Sequence, residues 1–161
     1  MMKRLLLSLL AAVLLTGAPA GAVFADDPNV WRAKSSGSFV TLRYGPINDR
    51  ETPLFLLSCL NSVSIAVLSV YMDFPERETG EAITVAFSAG GHTATVAGET
   101  AREDGTGIIY GDAGDIAVAP ILKILHEKGP VSMKSGAIGN ELSTTGRAKA
   151  VGQFSKDCKL D

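Results

Sequence analysis

Apolar and polar residues alternate in short runs along much of the chain, and this period of two is typical of β-strands. The longest apolar run beyond the first 25 residues is 53–74, PLFLLSCLNSVSIAVLSVYMDF, which lies between Pro53 and Pro75. We interpret this run as a β-hairpin, here called the first hairpin. A two-residue turn at Asn61 and Ser62 would place Leu60 opposite Val63.

The strands of the first hairpin are apolar on both faces. One face carries Phe55, Leu57, Cys59, Ala66, Leu68 and Val70, and the other carries Leu54, Leu56, Leu60, Val63, Ile65 and Val67. A half-exposed antiparallel strand should instead alternate apolar with polar residues. The pattern therefore predicts that both faces are covered, one by an opposing sheet and the other by a helix from the C-terminus.

A second hairpin is predicted over residues 82–98. The segments AITVAFS and HTATVAG flank Ala89-Gly90-Gly91, and Gly-Gly favours a two-residue turn. With that turn, the large apolar residues share one face and the threonines share the other. The predicted pairs are Ala89 with His92, Phe87 with Ala94, and Val85 with Val96.

Weaker patterns predict the remaining elements. Strands are expected at 39–44, 108–110, 131–134 and 137–142, and a short helix is expected at 119–128. Pro120 suits the first turn of that helix, and Gly129-Pro130 would end it.

A C-terminal helix is indicated by one apolar stripe, which consists of Ala150, Val151, Phe154 and Cys158. Thr144 or Thr145 could cap its N-terminus. The charged residues are predicted to point away from the stripe. They are Arg147, Lys149, Lys156 and Asp157.

Cys59 and Cys158 are the two cysteines of the chain. In an exported protein they predict one structural disulfide, with intermolecular pairing as the alternative. The bond would place the C-terminal stripe against the face of the first hairpin that carries Phe55, Leu57 and Leu68. The predicted fold is mainly β: an antiparallel β-sandwich or flattened barrel of about seven to nine strands, with a short helix and a C-terminal helix.

Residues 1–25 are predicted to be a secretory signal peptide, and residues 26–161 a single β-rich domain. Lys3 and Arg4 precede an apolar segment, and Val23-Phe24-Ala25 resembles a cleavage site. The expected location is the periplasm or the extracellular medium. An uncleaved membrane anchor is the alternative at the N-terminus, and residues 53–74 raise the question of a second span.

Without Lys3 and Arg4, 13 basic residues remain against 17 acidic ones, a net charge of −4. This mild acidity, together with the absence of a basic block, argues against nucleic acid or an anionic membrane as the main partner.

The sequence contains no recognisable catalytic, phosphate-binding or metal-binding motif, so no catalytic residue, metal ligand or cofactor is predicted. His92 is expected at a sheet end, and His126 in the last turn of the short helix. Asp104, Asp112 and Asp115 are interpreted as residues of solvated turns. The aromatics best able to line a binding surface are Trp31, Tyr44, Tyr71 and Tyr110, although at least two of them are expected in the core.

At several spaced positions the chain resembles small exported bacterial β-proteins. Some of these proteins are associated with secretion systems or host-cell invasion. The positions are Trp31, the strand end Leu42-Arg43-Tyr44-Gly45, the strand cysteine Cys59, the segment PILKIL, and the closing Phe154-x-x-x-Cys158. The resemblance implies a disulfide-tied β-sandwich with a terminal helix, and it transfers no catalytic residue.

The expected function is that of a soluble exported, non-catalytic binding module of the bacterial envelope that engages a protein partner. Three alternatives remain open. A carrier would enclose an apolar ligand between its sheets, an inhibitor of a cell-wall enzyme would present loop 47–52 or loop 101–107, and a hydrolase would place His92 or His126 beside a carboxylate or serine.

Overall fold

A computed structural model describes residues 28–160. The predicted signal peptide lies outside this range. The strands are β1 Asn29–Ser36, β2 Phe39–Pro46, β3 Phe55–Leu60, β4 Ile65–Val70, β5 Ala82–Ala89, β6 His92–Arg102, β7 Ile109–Gly114, β8 Val131–Ser135 and β9 Ile138–Leu142. The helices are α1 Val118–His126 and α2 Arg147–Asp157.

The nine strands form one antiparallel sheet in the order β1-β2-β3-β4-β7-β6-β5-β8-β9, curled into a half-barrel. The segment after β9 returns to β1, where the Trp31 amide donates to the Thr145 carbonyl at 3.2 Å. The Trp31 indole also donates to the Ser143 carbonyl at 2.6 Å. The predicted mainly β class is confirmed, and the continuous curled sheet is closer to the flattened barrel than to two separate sheets.

The second hairpin has the predicted register, with Ala89 opposite His92 and Val85 opposite Val96. Gly90 and Gly91 form its turn with φ values of 56° and 81°, which favour glycine over residues with a Cβ atom. Local turn chemistry is therefore sufficient to fix this part of the sheet.

The two-residue turn predicted for the first hairpin is wrong. Leu60 lies opposite Ile65, so the turn contains the four residues 61–64. The C-terminus fixes this longer turn, because the Asn61 amide donates to the Asp157 carbonyl at 2.9 Å and the Lys159 amide donates to Asn61 Oδ1 at 2.8 Å. A register shift of two residues leaves every side chain on its predicted face.

The two faces of the first hairpin differ in burial. The inner face is almost fully buried in the core, and its residues are Phe55, Leu57, Cys59, Ala66, Leu68 and Val70. On the outer face, Leu56, Leu60 and Val67 are only half-buried, and Ile65 is 36% exposed. The prediction that both faces are covered is therefore wrong for the part of the chain that the structure describes.

The predicted disulfide is present between Cys59 on β3 and Cys158, which follows α2. The stripe residues Ala150, Val151 and Phe154 are buried in the core. α2 packs mainly on β1, with further contacts to α1 and β2, so it reaches the first hairpin chiefly through the disulfide. The predicted placement of the helix across the first hairpin is correct only at its C-terminal end.

Two predictions at the start of α2 are wrong. The N-cap residue is Gly146, with φ 76°, rather than Thr144 or Thr145. Gly146 passes so close to β1 that a Cβ atom would lie 3.2 Å from the Trp31 carbonyl oxygen. Arg147 does not point away from the core: it is buried, it donates from Nη2 to the Glu127 carbonyl, and burial lowers its pKa.

The predicted short helix and last strand pair are present as α1, β8 and β9. Ile121, Ile124 and Leu125 of α1 are buried against the sheet. Neither helix within residues 28–160 has the length and hydrophobicity needed to cross a membrane.

Candidate functional site

The two histidines occupy different settings. His92 is the first residue of β6 and places Nε2 3.2 Å from the Glu127 carboxylate, while His126 is exposed at the end of α1. A hydrolase would also need a nucleophile beside His92, and no serine, threonine or cysteine side chain in residues 28–160 hydrogen-bonds to it.

The three aspartates that were predicted in turns occupy different settings in the structure. Asp112 lies on β7, not in a turn, and accepts a hydrogen bond of 2.7 Å from the Ser69 hydroxyl of β4. Asp104 and Asp115 are exposed. Across the described chain, no three histidine, cysteine, aspartate or glutamate side chains are grouped to hold a metal ion.

The four aromatics divide between the core and the outer face of the sheet. Trp31 and Tyr44 are buried, which confirms that at least two of them belong to the core. Tyr71 and Tyr110 are half-buried on the outer face, where their rings stack with centroids 4.6 Å apart. This pair makes the outer face of the sheet a candidate binding surface.

A cleft on the outer face, here called the arginine cleft, has a volume of about 450 Å³. It lies between β1, β2 and the loop that follows β2. Its lining residues are Arg32, Ala33, Lys34, Thr41, Arg43, Asp49, Pro53 and Leu56.

The pairing of β1 with β2 and the loop that follows β2 together form this cleft. Arg32 on β1 lies opposite Arg43 on β2, so both side chains emerge on the outer face of neighbouring strands. The loop then turns back over the sheet and brings Asp49 to both arginines. Gly45 allows this return, because a Cβ atom there would lie only 2.7 Å from the Pro53 Cα.

One carboxylate oxygen contacts both guanidinium groups. Asp49 Oδ1 lies 2.8 Å from Arg32 Nη2 and 2.9 Å from Arg43 Nη1. The arginines also donate to the backbone carbonyls of Pro46 and Glu51. Only 13% of the Arg43 side chain is exposed, whereas 65% of Asp49 remains in contact with solvent.

The arginine cleft has an excess of positive charge and of hydrogen-bond donors. Arg32, Lys34 and Arg43 face the single carboxylate of Asp49, which leaves a net charge of +2 among the lining residues. The Nε atoms of both arginines are shielded from solvent and have no partner among the described residues. Arginine pairs of this kind recognise carboxylates through charge-assisted hydrogen bonds.

An apolar strip lies beside the arginine cleft on the same face. Phe39, Leu60 and Ile65 form one row across β2, β3 and β4. Phe39 is 43% exposed, and Val63 in the adjoining turn is 57% exposed. An exposed apolar patch next to convergent charged groups is typical of an interaction surface.

Tyr71 and Tyr110 should ionise at higher pH than ordinary tyrosines. Burial is the largest cause, and it raises the pKa of both phenols from the usual value of 10.0. The nearby Glu103 carboxylate raises both pKa values further. Tyr110 adds to the effect on Tyr71, and Asp112 adds to the effect on Tyr110. The unfolded chain releases these protons first, so stability should fall as the pH rises from about 10 through the raised pKa values. Ultraviolet titration of phenolate, with Tyr71→Phe and Tyr110→Phe variants, measures this shift. Two phenols that titrate at the usual value in the folded protein would contradict it.

Comparisons with protein-family models, with curated proteins and with solved structures each found no match.

Proposed function

We propose that this protein is an exported, non-catalytic binding module of the bacterial envelope that engages a carboxylate-bearing segment of a protein partner. The observation that supports it is the arginine cleft, where two guanidinium groups share one oxygen of Asp49 on an accessible sheet face. A carboxylate of the partner would offset the excess positive charge of the lining residues.

The apolar strip supports a protein segment, rather than a free small anion, as the occupant. A chain that places its carboxylate in the cleft could also cover Leu56 and Leu60, which are half-buried on the same face. Burial of such apolar surface contributes affinity, while the charged contacts contribute specificity.

The disulfide supports export. Bonds such as Cys59–Cys158 form and persist in oxidising compartments, and they are rare in proteins of the reducing cytosol. Periplasmic or secreted location follows as part of the proposal.

The apolar-ligand carrier has less support than the binding module. The interior of the half-barrel is filled by large side chains that are less than 2% exposed, including Phe55, Phe87 and Phe154. A ligand of moderate size would have to displace these rings from a close-packed core.

The inhibitor remains a second candidate because of Ile47. This side chain is 68% exposed in the loop that follows β2, and the pairing of Asp49 with two arginines anchors that loop. Ile47→Asp should abolish inhibition of a cell-wall hydrolase, and unchanged inhibition would remove this candidate.

The proposed function predicts that Arg43→Gln weakens partner binding. Loss of a hydrogen bond to a charged group corresponds to about 10- to 100-fold in affinity. The test is capture of envelope proteins by the oxidised mature protein, followed by calorimetry with the purified partner. Arg50→Gln is the matched control, because Arg50 is exposed and lies outside the cleft.

Equal losses of affinity in Arg43→Gln and Arg50→Gln would contradict a specific role for the cleft. The urea midpoint of each variant should be measured beside its affinity. A large fall in stability for Arg43→Gln alone would show that Arg43 serves to hold the loop rather than a partner.

A further inference from the structure

A second cleft lies on the outer face, on the other side of Pro53 from the arginine cleft. This tyrosine cleft has a volume of about 390 Å³ and is lined by Thr52, Pro53, Leu54, Tyr71, Asp73 and Ile108. Tyr110 stacks on Tyr71 with an interplanar angle of 17°, so one face of the Tyr71 ring is already covered. Tyr71 itself lines the cleft.

The charged group that lines the tyrosine cleft and the carboxylates that influence the Tyr71 phenol are all acidic. Asp73 is the charged residue in its lining. Glu103 and Asp112 are near enough to the Tyr71 phenol to influence its ionisation, and both are acidic. The nearby Arg102 guanidinium donates to the Gly107 carbonyl at 3.0 Å, and it does not line the cleft.

An aromatic ring, apolar walls and a carboxylate are the groups that recognise an alkylammonium ion. The ring attracts the cation through its quadrupole, the carboxylate pairs with the charge, and the apolar walls contact the methylene groups. Leu54 and Ile108 supply such walls here, and Ile108 is 39% exposed.

We propose that the tyrosine cleft binds the alkylammonium group of a lysine side chain in the same partner segment whose carboxylate occupies the arginine cleft. The pairing of the two sites rests on the proposed function, whereas binding of the ammonium group does not. The partner segment is therefore dipolar, with its acidic residue over β1 and β2 and its lysine beyond the C-terminal end of β4.

The spacing of the two clefts sets the spacing of the two residues. Arg43 lies in one row with Leu56 and Ser69, and Tyr71 lies two strands away and two residues further along. Strands are about 4.8 Å apart and two residues span about 6.7 Å, so the separation is about 12 Å. Residues i and i+4 of an extended segment span about 13 Å and point to the same side. A glutamate and a lysine four residues apart match the surface.

The experiment uses the oxidised mature protein and a ten-residue neutral peptide that carries Glu and Lys at i and i+4. Calorimetry compares it with a peptide in which norleucine replaces Lys and with one in which Gln replaces Glu. We expect each replacement to weaken binding about 3- to 10-fold.

Asp73→Asn should remove most of the preference for the Lys peptide over the norleucine peptide, and Tyr71→Phe should keep this preference. Asp104→Asn is the matched control, because Asp104 is exposed outside the cleft.

A second measurement separates the two sites. Nα-acetyl-lysine methylamide should shift the NMR signals of the Tyr71 ring, and the uncharged norleucine analogue should not. Equal binding of the Lys and norleucine peptides, with no shift of the Tyr71 signals, would overturn the tyrosine cleft. A Lys effect without a Glu effect would support the tyrosine cleft and contradict the proposed arginine cleft. Tighter binding of tetramethylammonium than of the lysine derivative would overturn lysine as the occupant.

Discussion

Replacement of both Cys59 and Cys158 by serine should lower the free energy of unfolding by about 2–5 kcal/mol. The two cysteines are separated by 99 residues, so the disulfide closes a loop that spans most of the described chain. The chain-entropy model gives about 4.7 kcal/mol for a loop of this length, and residual structure in the unfolded chain reduces that value. Urea denaturation with and without reductant measures the effect.

The same experiment has two internal checks. Reductant should destabilise the natural protein and leave the double serine variant unchanged. The dependence of unfolding free energy on urea concentration should rise when the bond is absent, because the unfolded chain then exposes more surface. A midpoint that reductant does not change in the natural protein would contradict the structural role of the bond.

Ser35→Ala provides a matched control at the same end of α2. The Ser35 hydroxyl donates to Asp157 at 2.6 Å, one residue before Cys158, but this hydrogen bond is exposed. We expect its loss to lower the free energy of unfolding by less than about 1 kcal/mol. A comparable effect of Ser35→Ala and of the double serine variant would mean that local contacts, rather than loop closure, hold α2.

The second hairpin shows what the sequence predicts well. Gly90 and Gly91 adopt positive φ values, and a two-residue turn at these glycines pairs the flanking residues in one register. All of this information is local. The same is true of α1, where Pro120 and Gly129 bracket the apolar residues.

The turn of the first hairpin shows what local information misses. Asn61 and Ser62 favour a short turn when the segment is taken alone, but Asn61 is held by Asp157 and Lys159 from the other end of the chain. Contacts at a separation of nearly one hundred residues have no signature in the local pattern. Arg147 is similar, because nothing near it in the sequence indicates that its side chain would be buried.

The arginine cleft could have been predicted in part. A two-residue turn at Gly37 and Ser38 would pair Arg32 with Arg43, and the structure has that register. Asp49 could not be placed in this way, since a loop can return to either face of a sheet. The sequence had suggested a partner and an exposed loop, but it contained no signal that one carboxylate would join two arginines.

Leu57→Ala should lower the free energy of unfolding by about 2–5 kcal/mol, because Leu57 is 0% exposed and its truncation leaves a cavity in the core. Its neighbour Leu56 is the matched control on the opposite face of β3. Leu56 is half-buried and lines the arginine cleft, so Leu56→Ala should lower stability by about 1 kcal/mol or less and should weaken partner binding. Urea denaturation of both variants measures the difference.

The comparison of these neighbouring leucines decides between two interpretations of the first hairpin. The apolar pattern on both of its faces predicts equal burial, whereas the structure leaves the outer face open in the described residues. Equal losses of stability would mean that the outer face is buried in the folded protein and unavailable to a partner. A large loss for Leu57→Ala and a small one for Leu56→Ala would mean that the outer apolar residues are free to contribute to binding rather than to folding.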